Sequence, residues 1–323
     1  MARRSPARMI LLGSLAASAV GLGLAARRRQ QERKTTADAQ ASTPIPARAE
    51  WWEAPEGLFG YHWPAENARA TLLLQHGFGE HAGRYVEHFS GLVPALNAMG
   101  VEVFAFDMAG HGRSAGARGV VDVDAMAQAH RAARRELAQR GRPLLLFGHS
   151  LGGLVTALSV ARDPEGLAAV VLSSPALPDS APLPLRLIAQ ALVKVAPGVG
   201  VAPLGEPSGI SRIKSEVDAY LADPLVNPRR VPALLGVTAL AAAAEVRAAA
   251  PNWRAPTLIL HGTADQYTDP RASQRLFDAL AAEDKRLELV AGARHELLND
   301  MPRKRIAAEL LSWIEARLPA PAS

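Results

Sequence analysis

Apolar and polar positions along this chain alternate between two rhythms. Short apolar runs recur at Thr71–Gln75, Val101–Phe106, Leu144–Phe147, Ala169–Leu172, Thr257–Leu260 and Leu287–Val290. Between them lie patterns at helical spacing, including Tyr85–Met99, Asp124–Arg140 and Leu151–Arg162. Strand and helix in turn predict an α/β fold with a mostly parallel sheet covered by helices on both faces. Trp51–Trp63 (WWEAPEGLFGYHW) is aromatic around a central Pro-Glu-Gly and predicts an N-terminal hairpin. The alternation breaks from about 178 to 252, where Leu183–Val195, Ser215–Leu221 and Val231–Ala250 are helical or Ala-rich with prolines between them. That interval is expected to be a helical cap inserted into a domain spanning about 48–318.

One boundary carries chemistry. Leu144–Gly153 (LLLFGHSLGG) runs from a β-rich stretch through Gly148-His149-Ser150-Leu151-Gly152 into a helical pattern. Strand, G-x-S-x-G and helix in that order are the setting of a nucleophile elbow, which lifts a serine Oγ clear of the sheet on a sharp turn. Glycines flank the serine because side chains there would collide with the adjoining strand and helix.

A serine hydroxyl needs a base to take its proton and a third group to orient that base. In this setting the partners follow in the order Ser, acid, His. Asp265 follows the strand-like PTLILH run (256–261), and His295 follows the strand Leu287–Val290. Both fall in loops at strand ends, where the elbow also opens. Asp269 is the competing acid, but it precedes Pro270 at the start of a helix running to Ala282 and is expected to cap it. His261 and His149 are expected to pack within their turns. The oxyanion that forms in acyl transfer needs preorganised N–H donors. Leu151, directly after the nucleophile, supplies one. Phe78, in the His76-Gly77-Phe78-Gly79 loop after the first long strand, is the expected second.

These segments, taken together, resemble the monoacylglycerol lipase and lysophospholipase family of α/β-hydrolases, often described as serine aminopeptidase-like. His76-Gly77-Phe78-Gly79-Glu80-His81 with Arg84-Tyr85 is similar to its HGxGEHxxRY segment, and Asp107–Ser114 to its DxxGHGxS loop. The GHSLGG elbow, Tyr220–Val226 (YLADPLV), the HGTAD turn and His295–Asp300 (HELLND) are similar too. The resemblance runs from about Trp51 to Leu318. It implies cleavage of a single-chain lipid ester without cofactor or metal, through an acyl-enzyme on Ser150, with His295 as base and Asp265 as its orienting acid. The oxyanion donors it implies are the amides of Phe78 and Leu151.

The N-terminus adds a membrane element. Met9–Ala26 is an uncharged apolar run of 18 residues with Arg3, Arg4 and Arg8 before it and Arg27–Arg29 after. That length is at the lower limit for a bilayer span. An uncleaved anchor (1–29), followed by a flexible Ala/Thr/Pro-rich linker (30–47), is the preferred reading. Export after cleavage near Ala17-Ser18-Ala19 is the alternative. The first 34 residues hold eight Lys/Arg and one acid, so they contribute +7 to a formal total of +5 and leave the remainder at −2. No basic patch therefore points to nucleic acid. The absence of cysteine excludes disulfides and thiolate metal sites.

Other activities of the same fold remain. An epoxide hydrolase would use Asp where Ser150 stands. A peptidase would need an anchor for the substrate's amino group, and the acids of the cap, Glu206, Glu216 and Asp218, are expected to be solvated. A thioesterase or general carboxylesterase could use the same residues. A non-catalytic lipid- or partner-binding protein is the alternative of a different class.

Overall fold

A computed structural model of the chain describes residues 48–227 and 230–320. All six expected strands are present in a single eight-stranded sheet. The eight strands of the sheet are β1 (Glu50–Glu53), β2 (Phe59–Trp63), β3 (Ala70–Gln75), β4 (Val101–Phe106), β5 (Leu144–His149), β6 (Ala169–Ser173), β9 (Thr257–Gly262) and β10 (Lys285–Val290). The spatial order is β1-β2-β4-β3-β5-β6-β9-β10. β1 and β2 form the expected hairpin and join β4 antiparallel. Every other pairing in this sheet is parallel.

The unbroken apolar runs follow from burial on both faces. Leu73, Leu144, Leu146, Val170 and Ile259 point into one core. Leu72, Leu74, Leu145, Phe147, Val171 and Leu260 point into the other. Helices α3 (Val123–Ala138), α4 (Leu151–Arg162) and α8 (Pro270–Ala279) cover the first face; α2 (Leu92–Ala98) and α9 (Arg303–Glu315) cover the second.

The helix expected over Tyr85–Met99 is interrupted. A single turn, α1 (Arg84–Glu87), is followed by a bend at Phe89–Gly91 before α2 begins. Phe89, Ser90 and Gly91 take φ of 51°, 58° and 62°. Tertiary contacts impose this: the Phe89 N–H donates to Asn299 Oδ1, and the Ser90 hydroxyl donates to the Leu298 carbonyl at 2.7 Å. The bend therefore docks on the turn that follows His295.

The interval 178–252 contains α5 (Leu183–Val195), α6 (Lys214–Ala222) and α7 (Ala233–Ala249). It also holds a two-stranded ribbon, β7 (Gly200–Ala202) with β8 (Val231–Pro232), which the sequence pattern did not suggest. α7 is apolar nearly all round because it has two apolar neighbours. Leu235, Ala239, Ala243 and Val246 enter the first core, while Gly236 and Leu240 line a cavity. α6 and its C-cap are tied to the body by side-chain contacts: Asp223 with His81 (2.8 Å), and Glu216 with both His88 (2.8 Å) and Arg303 (2.7 Å). Glu216 is thus half-buried and paired, rather than solvated as expected; Asp218 is exposed. The segment Met9–Ala26 and the linker after it lie outside the described residues.

Candidate active site

Ser150 occupies the turn between β5 and α4 with φ 53° and ψ −118°, a conformation a non-glycine residue adopts only when its surroundings enforce it. Its N–H donates to the Ser173 carbonyl at 2.9 Å, and its carbonyl accepts from Ala176 N–H at 2.9 Å. The flanking glycines are required by space. A Cβ on Gly152 would lie 2.2 Å from the Gln75 carbonyl oxygen, and one on Gly148 would lie 2.5 Å from the Gly152 carbonyl oxygen. The Leu151 N–H opens α4 and carries the positive end of its dipole.

Asp265 and His295 meet as expected. The His295 Nδ1–H donates to Asp265 Oδ2 at 2.7 Å. The carboxylate is held elsewhere by the N–H groups of Tyr267 (2.8 Å) and Thr268 (3.1 Å) and by the Thr268 hydroxyl (2.7 Å). His261 Nε2 lies 3.2 Å from the same carboxylate, and its Nδ1 faces Ser273 Oγ at 2.7 Å. Burial alone would raise the Asp265 carboxyl, but His295 and His261 hold it far below the usual carboxylate range. For His295, burial opposes protonation, yet Asp265, with Glu296 and Glu80 behind it, lifts the imidazole above its ordinary value. Asp269 caps α8 by accepting from the Arg271 N–H at 2.9 Å, as expected.

Ser150 and His295 line the same small cavity. Among the described residues no hydrogen bond closes between their side chains, a looseness common in unliganded hydrolases. Gly77 sits against the nucleophile, since a Cβ on it would lie 3.1 Å from Ser150 Cβ. This places Phe78 beside Ser150 and Leu151 in the wall of the larger cavity. His149 faces the small cavity, its ring 4.9 Å from that of His295 and its Nδ1 3.4 Å from Ser173 Oγ. Burial keeps it neutral, with a pKa near 4.

Two unlike spaces adjoin Ser150. One, of about 490 Å³, is walled by Leu177, Leu235, Leu240 and Phe78 and is mainly apolar. It shares Pro178, Val231, Gly236 and Leu240 with a further space of about 430 Å³ beneath α5. The other, of about 40 Å³, is bordered by Glu80, Tyr220, His149 and Glu296, with Leu204 and Ile210 beside them. An apolar chain fits the first and a small hydroxylated group the second.

Comparison with known proteins places this geometry. The serine aminopeptidase (S33) hydrolase family matches over residues 66–302. Human monoglyceride lipase is 34% identical over 278 residues, covering 80% of this chain and 87% of that protein. The monoacylglycerol lipase of Mycolicibacterium smegmatis is 33% identical, covering 79% of this chain and 91% of the relative. The chain belongs to this α/β-hydrolase family. The solved monoacylglycerol lipase of Paleococcus ferrophilus superposes with a TM-score of 0.73 at 34% identity, covering 80% of this chain and 99% of that one. The protein is a serine ester hydrolase of the monoglyceride lipase type.

Sequence reasoning passed over Tyr267 and assigned no role to Glu80, Arg84, Tyr220 or Glu296. Four of those five border the small cavity. Glu80, Arg84, Tyr220 and Glu296 stand inside motifs that carried the family resemblance, which was the available signal; Tyr267 stands outside any motif.

Proposed function

We propose that this hydrolase cleaves monoacylglycerols, with the acyl chain in the larger space and the glycerol in the small one, against Glu80, Tyr220 and Glu296. The observation carrying this reading is the position of Ser150, lining both spaces at their junction. In the reaction, Ser150 Oγ attacks the acyl carbon while His295 Nε2 takes its proton. The amides of Phe78 and Leu151 stabilise the oxyanion, and collapse expels glycerol, which takes the proton from His295. Water, deprotonated by His295, then releases the fatty acid from Ser150.

A peptidase reading meets an obstacle in the small cavity. Glu80 and Glu296 border it and would be the anchors for an amino group, but both are already paired to Arg84. Delivery of a lipid substrate is supported by α5, where Leu183 (63%), Leu187 (56%) and Ile188 (57%) are exposed and only Ala189 is buried. Exposed apolar patches of this kind mark contact with membranes or partners. With the apolar stretch Met9–Ala26, this supports a membrane-associated enzyme whose cap faces the lipid; export after cleavage of that stretch is the other reading.

Hydrolysis by the full chain of glycerol esters graded from acetyl to oleoyl, alongside lysophosphatidylcholine, tests the assignment. Turnover peaking on long-chain monoacylglycerol is expected. Preference for acetyl esters, or for lysophosphatidylcholine over oleoylglycerol, would overturn it.

A further inference from the structure

Beneath the active site lies a buried ionic cluster that the reaction as written does not use. Arg84, 3% exposed, donates from Nη1 to Glu80 Oε2 at 2.5 Å. It also grips Glu296 with both arms, Nη1 to Oε1 at 2.8 Å and Nη2 to Oε2 at 3.1 Å. Each carboxylate belongs to a different catalytic loop. Glu80 Oε1 accepts the Gly77 N–H at 2.6 Å, so it pins the His76–Gly77 peptide, one peptide ahead of the Phe78 amide. It also accepts the Tyr85 hydroxyl at 2.9 Å. Glu296 directly follows His295, and its N–H donates to the Ile210 carbonyl of the cap at 2.8 Å. The guanidinium is sandwiched between Phe89, 5.1 Å from its ring centre, and the cap residue Tyr220, 4.9 Å away.

We propose that Arg84 is a positioning residue that holds the oxyanion loop, the His295 loop and the cap in fixed register around Ser150; this rests on the monoacylglycerol esterase reading. Arg84 borders neither cavity and so acts only through its partners. A planar guanidinium presents five donors in a rigid fork and can grip one carboxylate with both arms while donating to a second, a fixed geometry that the three rotatable donors of an ammonium do not impose. Stability alone does not call for this arrangement. Buried ion pairs replaced by well-packed apolar groups are often neutral or better, because desolvation consumes the Coulombic gain. The cluster sits where misplacement is costly, since an oxyanion donor must meet the developing charge at hydrogen-bond distance. Its charge also matters: two carboxylates against one guanidinium leave it net negative beside His295, and both carboxylates favour the protonated imidazole.

The test uses the full chain with Arg84→Lys and Glu80→Gln, 1-oleoylglycerol as substrate, melting temperature as the stability control and Ser150→Ala as the chemical control. For Arg84→Lys, the expectation is a roughly 10- to 100-fold loss of kcat with KM changed little, the pattern of an interaction made in the transition state. For Glu80→Gln, removal of a negative charge beside His295 is expected to shift the acid limb of kcat/KM to lower pH. A merely structural cluster would lower the melting temperature of both variants but leave kcat per folded molecule and the pH limb unmoved, and that result overturns the proposal. Should Arg84→Lys not fold, Glu80→Gln decides by the same readouts. If the esterase reading itself fails, Ser150→Ala keeps its turnover; if only this proposal fails, Ser150→Ala is inactive while Arg84→Lys runs at full rate.

Discussion

Tyr267 stacks on His295, with ring centres 5.0 Å apart and planes 28° from parallel, and donates its hydroxyl to the Glu206 carbonyl of the cap at 2.6 Å. One side chain thus touches the proposed general base and holds a cap loop. It also borders both the acyl and the head-group spaces. Burial, with Glu296, Asp265 and Glu206 nearby, raises its phenol to about 12, so it remains a donor throughout the working range.

Tyr267→Phe removes only the tie to Glu206. It is expected to raise KM for oleoylglycerol several-fold with kcat nearly unchanged. Tyr267→Ala also removes the wall between the two spaces and the stacking partner of His295. A loss of kcat of roughly tenfold follows, together with improved relative activity on lysophosphatidylcholine. Competition between the two substrates reads this directly.

The pH profile follows from the His295 environment. The base works only when neutral, and the folded environment raises its pKa above 6.5. The acid limb of kcat/KM is therefore expected above pH 6.5 and falls as pH drops through it. Asp265→Asn is expected to cut kcat by about three to four orders of magnitude, as the imidazole loses its orienting acceptor. Asp269→Asn should be nearly silent, because asparagine caps helices about as well as aspartate. Exchange of these two outcomes would reassign the acid.

Acid stability has a separate origin. His130 is fully buried against the edge of Phe106, with neither ring nitrogen hydrogen-bonded, and burial holds its pKa well below 6.5. His76, His111 and His149 are depressed by burial too. The unfolded chain thus binds more protons than the folded one below about pH 6.5, and stability falls as pH drops from there. His130→Leu is expected to flatten part of that fall. Urea melts at pH 7.5 and 5 measure the difference, which should be larger in the wild type.

Gly152→Ala is expected to abolish folded, active enzyme. Its Cβ would meet two backbone carbonyl oxygens at 2.2 and 2.3 Å, neither of which can swing aside. Gly141→Ala meets nothing within 4 Å, but the residue takes φ of 69°. Its cost should be limited to backbone strain, about 1–2 kcal/mol. Thermal melts of the two variants separate collision from strain.

Much of this was legible in the sequence because local pattern and tertiary context agree. The strand runs read as buried because Leu72 and Leu74 enter one core while Leu73 enters the other. The Ser150, Asp265 and His295 candidates were legible because elbow glycines and strand ends fix where such residues can stand. The break at Phe89 was not, since it is imposed by Asn299 and Leu298, more than two hundred residues away. The β7–β8 ribbon was equally invisible, because strands of three and two residues carry no periodicity. Arg84 shows the same limit: its motif and its neighbour Glu80 were visible, but its second partner, Glu296, lies 212 residues away.

An acyl-enzyme on Ser150 can be read out by intact-mass measurement after reaction with a fluorophosphonate. One adduct per chain is expected, mapping to the Ser150 peptide, absent in Ser150→Ala and formed far more slowly in His295→Ala. Labelling that persists in folded Ser150→Ala, or wild-type protein that hydrolyses oleoylglycerol without ever being labelled, would contradict it.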